Sequence, residues 1–182
     1  MPSVDDVLAQ LGVIAAGYPW LAIAWHVYFG AIAVVLLCGW RPPQRLGGVL
    51  LVPPLLSVSI LAWSAGNPFN GVVFALVAAL FLLAALKRPC APARVAPAAS
   101  FFPGLALFAF GWAYPHFVAA PSFLPYLYAT PVGLIPCPTL AIVIGLALML
   151  DGLGSRSAFF VLGAAGLFYG AFGVFRLGVA VD

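Results

Sequence analysis

Two histidines, three cysteines and four acidic residues are the whole stock from which this chain could build chemistry. His26 stands between Trp25 and Val27, and His116 lies in Tyr114-Pro115-His116-Phe117. The cysteines are Cys38, Cys90 and Cys137; the acids are Asp5, Asp6, Asp151 and Asp182, with no glutamate. No paired carboxylates stand near either histidine, and Ser-His-Asp, Walker A, G-x-G-x-x-G and H-E-x-x-H arrangements are absent. Lys87, the sole lysine, falls in a Pro-rich loop, which excludes a retinal Schiff base inside a bundle. Three cysteines without C-x-x-C form neither a disulfide framework nor a zinc site. A c-type haem attachment motif and vicinal cysteines for relaying a soft metal are also missing. The reading is a protein that is not an enzyme.

The remaining candidates gather near one end of the helices. Tyr18-Pro19, Asn67-Pro68 and Cys137-Pro138 are three X-Pro steps. A residue before proline is pushed out of the helical region, and proline suits the first helical position, so each step predicts an N-cap and a helix start. Three such starts, each worth roughly half a positive charge, predict an outward vestibule that favours an anionic group, with Arg176 adding to the field. His26, about one-third of the way into its span, is an ionisable group at an uncommon depth. The predicted ligand-binding set is His26, Asn67, Asn70, His116, Cys137 and Arg176. His26 and His116 could also face one another as haem ligands, or join Cys137 around copper; any metal is left unknown. The backbone freed at Pro136-Cys137-Pro138 must be buried in protein or face water, which puts 131–139 in the bundle mouth.

What positions these residues is a membrane. The chain has 182 residues, of which 65% are hydrophobic and 6% charged, against roughly a quarter charged in soluble domains. A domain of this size keeps much of its surface exposed, so such a composition cannot be hidden in a soluble globule. A span needs ~20 apolar residues, and six segments qualify: about 19–40, 46–65, 68–86, 100–120, 134–150 and 157–179. The predicted fold is all-α, a polytopic bundle of six transmembrane helices. Residues 18–182 form that domain, and 1–17 form an amphipathic helix. Ser3 and Asp6 resemble a capping box, and Val4, Val7, Leu8, Leu11 and Ile14 make a stripe suited to the membrane surface. With Asp5 and Asp6 where a basic region should stand, no secretory signal is expected.

Arg41, Arg45, Lys87, Arg88, Arg94 and Arg156 all fall in the three loops that must share one side. The positive-inside rule makes that side cytoplasmic and both termini external. The basic residues are scattered among loops, which argues against nucleic acid. Gly163, Gly166, Gly170 and Gly173 line one face of span 6 and predict close helix contact, within the chain or with a partner or second copy. Pro53 and Pro54 should kink span 2 and free backbone groups. Loop 87–99 reads as a tether between three-helix halves. Tyr18, Trp20, Trp63, Trp112, Tyr114, Tyr126 and Tyr128 suit an outer aromatic belt, with Trp40 at the inner boundary.

Several motifs resemble those of an uncharacterised family of bacterial multi-pass membrane proteins, a domain of unknown function. They are the Met-Pro start with its acidic helix, Tyr18-Pro19-Trp20, Asn67-Pro68, Tyr114-Pro115, Pro136-Cys137-Pro138-Thr139 and the Gly-rich end running to Asp182. The family carries a further apolar segment after the position of Asp182, and an aromatic-rich His motif after span 2 where this chain has Trp63-Ser64. The resemblance implies a bacterial inner membrane and no particular activity. Function is expected to be binding or transport of a small, anionic solute through the outer vestibule. The alternatives are a non-catalytic subunit or assembly partner of a larger membrane complex, and a haem- or copper-binding redox subunit.

Overall fold

A computed structural model describes residues 4–117 and 122–178. Eight α-helices follow one another: α1 Val4–Gly17, α2 Pro19–Leu37, α3 Gln44–Leu50, α4 Val52–Ser64, α5 Pro68–Leu86, α6 Ala98–Trp112, α7 Pro136–Met149 and α8 Arg156–Phe172. No strand occurs among the described residues. Pro19–Leu37, Gln44–Ser64, Pro68–Leu86 and Arg156–Arg176 are long and apolar enough to cross a membrane. At about 1.5 Å per residue, the 15 residues of α6 and 14 of α7 reach only about 22 and 21 Å, short of a ~30 Å hydrocarbon core. The expected 100–120 helix stops at Trp112 because Tyr114 precedes a proline and leaves the helical region. Ser3, the expected cap of α1, and Asp182 lie outside the described residues.

α7 is the hub. All of its fourteen residues are buried except Cys137, Ile144, Leu148 and Met149, and α6 and α8 pack against it. The closest crossing is between α6 and α7 and is made by glycine. A Cβ on Gly104 would lie 2.8 Å from the Gly145 carbonyl oxygen, and one on Gly145 would lie 2.6 Å from that of Gly104. Gly111 meets Pro138 in the same way. Backbones come this near only where side chains are absent.

α3 and α4 meet at Leu51, just ahead of Pro53 and Pro54. Pro54 has no N–H to give to the carbonyl four residues back, that of Leu50. The hydroxyl of Tyr28, on α2, donates to that carbonyl oxygen instead, at 2.5 Å. The expected freeing of backbone groups at this proline pair is thus real, and a neighbouring helix answers it.

The three basic loops lie together at one end. Gln44 N–H donates to Ala91 O and Ala93 N–H to Pro42 O, each at 2.8 Å, and Ala96 N–H reaches Met149 O. Arg88 donates to the side-chain oxygen of Gln44, and Arg45 to the backbone oxygen of Arg88. Residues 87–96 are therefore strapped across the bundle end.

At the other end, two of the five residues of the α1 stripe pack into the bundle. Leu11 and Ile14 are buried against Ala22, Leu61, Tyr114, Leu134 and Ile135. Val4, Val7 and Leu8 of the same stripe stay half-buried. The aromatic belt is likewise partial: Trp20, Trp63 and Tyr128 are exposed, whereas Tyr114 is buried and Trp112 half-buried.

Candidate functional site

The inward face of α2 carries three buried residues, Ala22, His26 and Phe29, one helical stripe. That stripe brings His26 to the place where α6 ends and the chain returns towards α7. The return is unusual in its burial: residues 130–136, none of them helical before Pro136, are all buried. Non-helical backbone survives at such depth only when protein satisfies it. Thr139 does part of this, donating to Ile135 O at 2.7 Å and accepting from Gly133 N–H at 2.8 Å. Gly133 has φ +72°, and the indole of Trp25 lies where its Cβ would stand, so only glycine fits.

His26 is 4% exposed. Its Nδ1 is 2.8 Å from Ala22 O, and its Nε2 is 3.1 Å from Thr130 Oγ1 and 3.2 Å from Trp112 O. The Thr130 hydroxyl donates to Trp112 O at 2.6 Å. The indole of Trp112 meets the imidazole edge to face, and its N–H donates to Leu127 O. With the hydroxyl proton on Trp112 O, Nε2–H donates to Thr130, and Nδ1 faces a carbonyl that can only accept. A neutral ring has one N–H for two such places. Rotating the hydroxyl towards Nε2 moves the single N–H to Nδ1 and leaves Trp112 O without its donor. Trp112 O belongs to the C-terminus of α6, so the helix presents its negative end to His26.

A second polar cluster lies on the other side of α7. Asn67 caps α5 by accepting from Asn70 N–H at 3.1 Å, and Tyr169 of α8 donates its hydroxyl to Asn70 Oδ1 at 2.9 Å. Cys137 and Tyr169 share the wall of an apolar groove of about 320 Å³ with Phe110, Ile144, Gly163 and Gly170. No other member of the predicted ligand set lines it.

The six predicted ligand residues are therefore not one constellation. His26 joins Trp112 and Thr130; Asn70 joins Tyr169 and the capping side chain of Asn67, with Cys137 near that tyrosine. His116 lies past the end of α6, half-buried, its ring against Phe117 at 4.3 Å. No described contact joins it to His26. Arg176 is exposed in a π-helical turn, Gly173–Leu177, that ends α8. A cation there offsets a helix C-terminus.

The three helix starts also differ from expectation. Tyr18 and Asn67 are N-caps as expected, but α7 begins one step earlier, with Ile135 as N-cap and Pro136 first. Cys137 is inside the first turn, and prolines at 136 and 138 remove two of the N–H groups an anion would use. The α2 start is exposed, with Trp20 at 81%. The α7 start is enclosed. The three starts therefore differ in surroundings and in the N–H groups they offer.

Thr130, Thr139, Trp112 and Tyr169 were not among the sequence candidates. A signal for two of them existed: the chain has only two threonines, and both bracket the proline-rich break. No family model, curated protein or solved structure matches the chain.

Proposed function

We propose that this chain is a non-enzymatic, multi-pass protein of six spans that moves a proton or a small hydrogen-bond-donating solute across its membrane. Both termini are external and the basic loops cytoplasmic, by the positive-inside rule. The motif resemblance favours the inner membrane of a bacterium. The observation that carries the reading is His26, the ionisable group at the junction of two short helices, with oxygen atoms opposite both ring nitrogens. The groups facing it are Ala22 and Trp112 carbonyls and the Thr130 hydroxyl, and no charged side chain is among its described contacts. The buried non-helical backbone of 130–135 beside His26 is of the kind tolerated at membrane depth where protein satisfies it or a cavity is lined. These carbonyl oxygens disfavour the anionic solute expected from the helix starts, and they suit a donor. A proton enters without displacing anything.

The test is a proteoliposome carrying the purified protein and an internal pH dye. An imposed pH gradient should decay faster than in empty vesicles, and His26→Phe, which keeps a ring against Trp112, should abolish the difference. Vesicles with protein that match empty ones, or a His26→Phe variant as fast as the parent chain, would overturn it.

A second reading has its own observation. Gly163 and Gly170 line the open groove between α6 and α8, and a Cβ on Gly163 would meet nothing within 4 Å. That free small-residue face supports assembly with a partner helix or a second copy. Gly166 is different, since its Cβ would meet Ile144 of the same chain. Gly163→Leu is therefore the cleaner probe, read as loss of a larger species on native gels.

A further inference from the structure

At the end of α2 that carries the basic loops, an apolar cleft of about 380 Å³ opens between α2, α6 and α7. Ala33 and Leu36 form one wall, Leu105 and Phe108 another, and Leu146 the floor. Arg41 is the one charged residue lining it. The guanidinium is anchored: Nη1 donates to Leu36 O at 2.7 Å, a carbonyl that also accepts from Gly39 N–H, and to Trp40 O at 3.1 Å. Nε and Nη2 make no hydrogen bond among the described residues. Trp40, half-exposed beside it, is the residue type that settles at headgroup depth. Six of the seven cations in the chain belong to this end, against Asp151 among the acids of the described residues.

We propose that this cleft holds one acyl chain of an anionic phospholipid from the surrounding bilayer, with the phosphate bound by Arg41. The apolar walls accept a hydrocarbon chain, which would otherwise leave the lining without contacts. A guanidinium whose remaining donors form a planar fork matches phosphate oxygens. The excess of positive charge around the mouth selects a net negative headgroup over a zwitterionic one. The cleft is separate from the His26 junction, and its occupancy does not depend on what that junction moves.

Native mass spectrometry of the detergent-purified chain tests this, with phosphatidylglycerol and phosphatidylcholine of identical acyl chains titrated separately. Phosphatidylglycerol should be retained as a single tight adduct and phosphatidylcholine more weakly. Arg41→Gln should weaken phosphatidylglycerol about fivefold, the loss of one headgroup cation, while Arg41→Lys recovers part of it. Ala33→Phe, which fills the cleft, should weaken both lipids. Arg176→Gln, exposed at the opposite end of the bundle, should leave retention unchanged. Glycerol phosphate, the headgroup without chains, should not compete. Equal retention of the two lipids, an Arg41→Gln adduct as tight as the parent, or full displacement by glycerol phosphate would overturn the assignment.

Discussion

The imidazole Nε2 of His26 lies 3.1 Å from the hydroxyl oxygen of Thr130, a residue 104 positions further along the chain. The same hydroxyl closes on the last carbonyl of α6, 2.6 Å away at Trp112. One short polar side chain thus joins a long helix, the end of a short one and the buried return segment. Every proton it gives to one partner is withheld from the other.

Replacing that hydroxyl should be costly out of proportion to its size. Thr130→Val keeps the shape but removes the hydroxyl that donates to Trp112 O and leaves His26 Nε2, 3.2 Å away, as the remaining side-chain partner of that carbonyl, a loss of about 1 kcal/mol. Thr130→Ser restores the donor and should stay close to the parent chain. Denaturation in detergent micelles checks both, and equal stability of Val and Ser variants would show that the bond carries no weight.

Glycines in this chain should divide by what stands opposite them. On Gly145 a Cβ would meet the Gly104 carbonyl oxygen at 2.6 Å and the Phe108 amide nitrogen at 2.7 Å. Gly145→Ala must push α6 from α7 and should cost about 1–3 kcal/mol. Gly163→Ala meets open space and gains helix propensity of up to about 1 kcal/mol. The paired measurement is thermal stability in one detergent, and the two variants should move in opposite directions.

The buried bond from Tyr169 to Asn70 ties α8 to the start of α5. Tyr169→Phe leaves the Asn70 oxygen short of a donor, and should lower stability by about 1–3 kcal/mol. In an Asn70→Leu background the same change should cost much less, because no orphaned acceptor remains. A double-mutant cycle measures the difference; additive losses would mean the two residues act apart.

Orientation is open to a chemical test. Cys90 is exposed in the strapped basic loop. With that loop cytoplasmic, a membrane-impermeant maleimide should not label Cys90 in intact cells and should label it once the membrane is opened. Mass spectrometry of the Cys90 peptide reads the outcome, and labelling of intact cells reverses the proposed sidedness.

Much of the architecture was legible because it depends on neighbours in the chain. Long apolar runs must become helices in lipid, since no water is there to satisfy an open backbone; hence Pro68–Leu86 matches its expected bounds. Proline acts on the residue beside it, so the starts at Pro19 and Pro68 were readable from dipeptides alone. The start of α7 was not, because Pro136 and Pro138 satisfy the same local rule and only the buried turn held by Thr139 chooses between them. Burial of that turn was foreseeable from its prolines; its partners were not. Whether His26 would meet His116 or Trp112, whether the α1 stripe would cover protein or lipid, and which glycines would touch are settled by helices packing across a hundred residues. Local sterics and hydrophobicity are properties of adjacent residues. Contact partners are a property of the whole packed arrangement, and there the tertiary structure set His26 against the last carbonyl of α6.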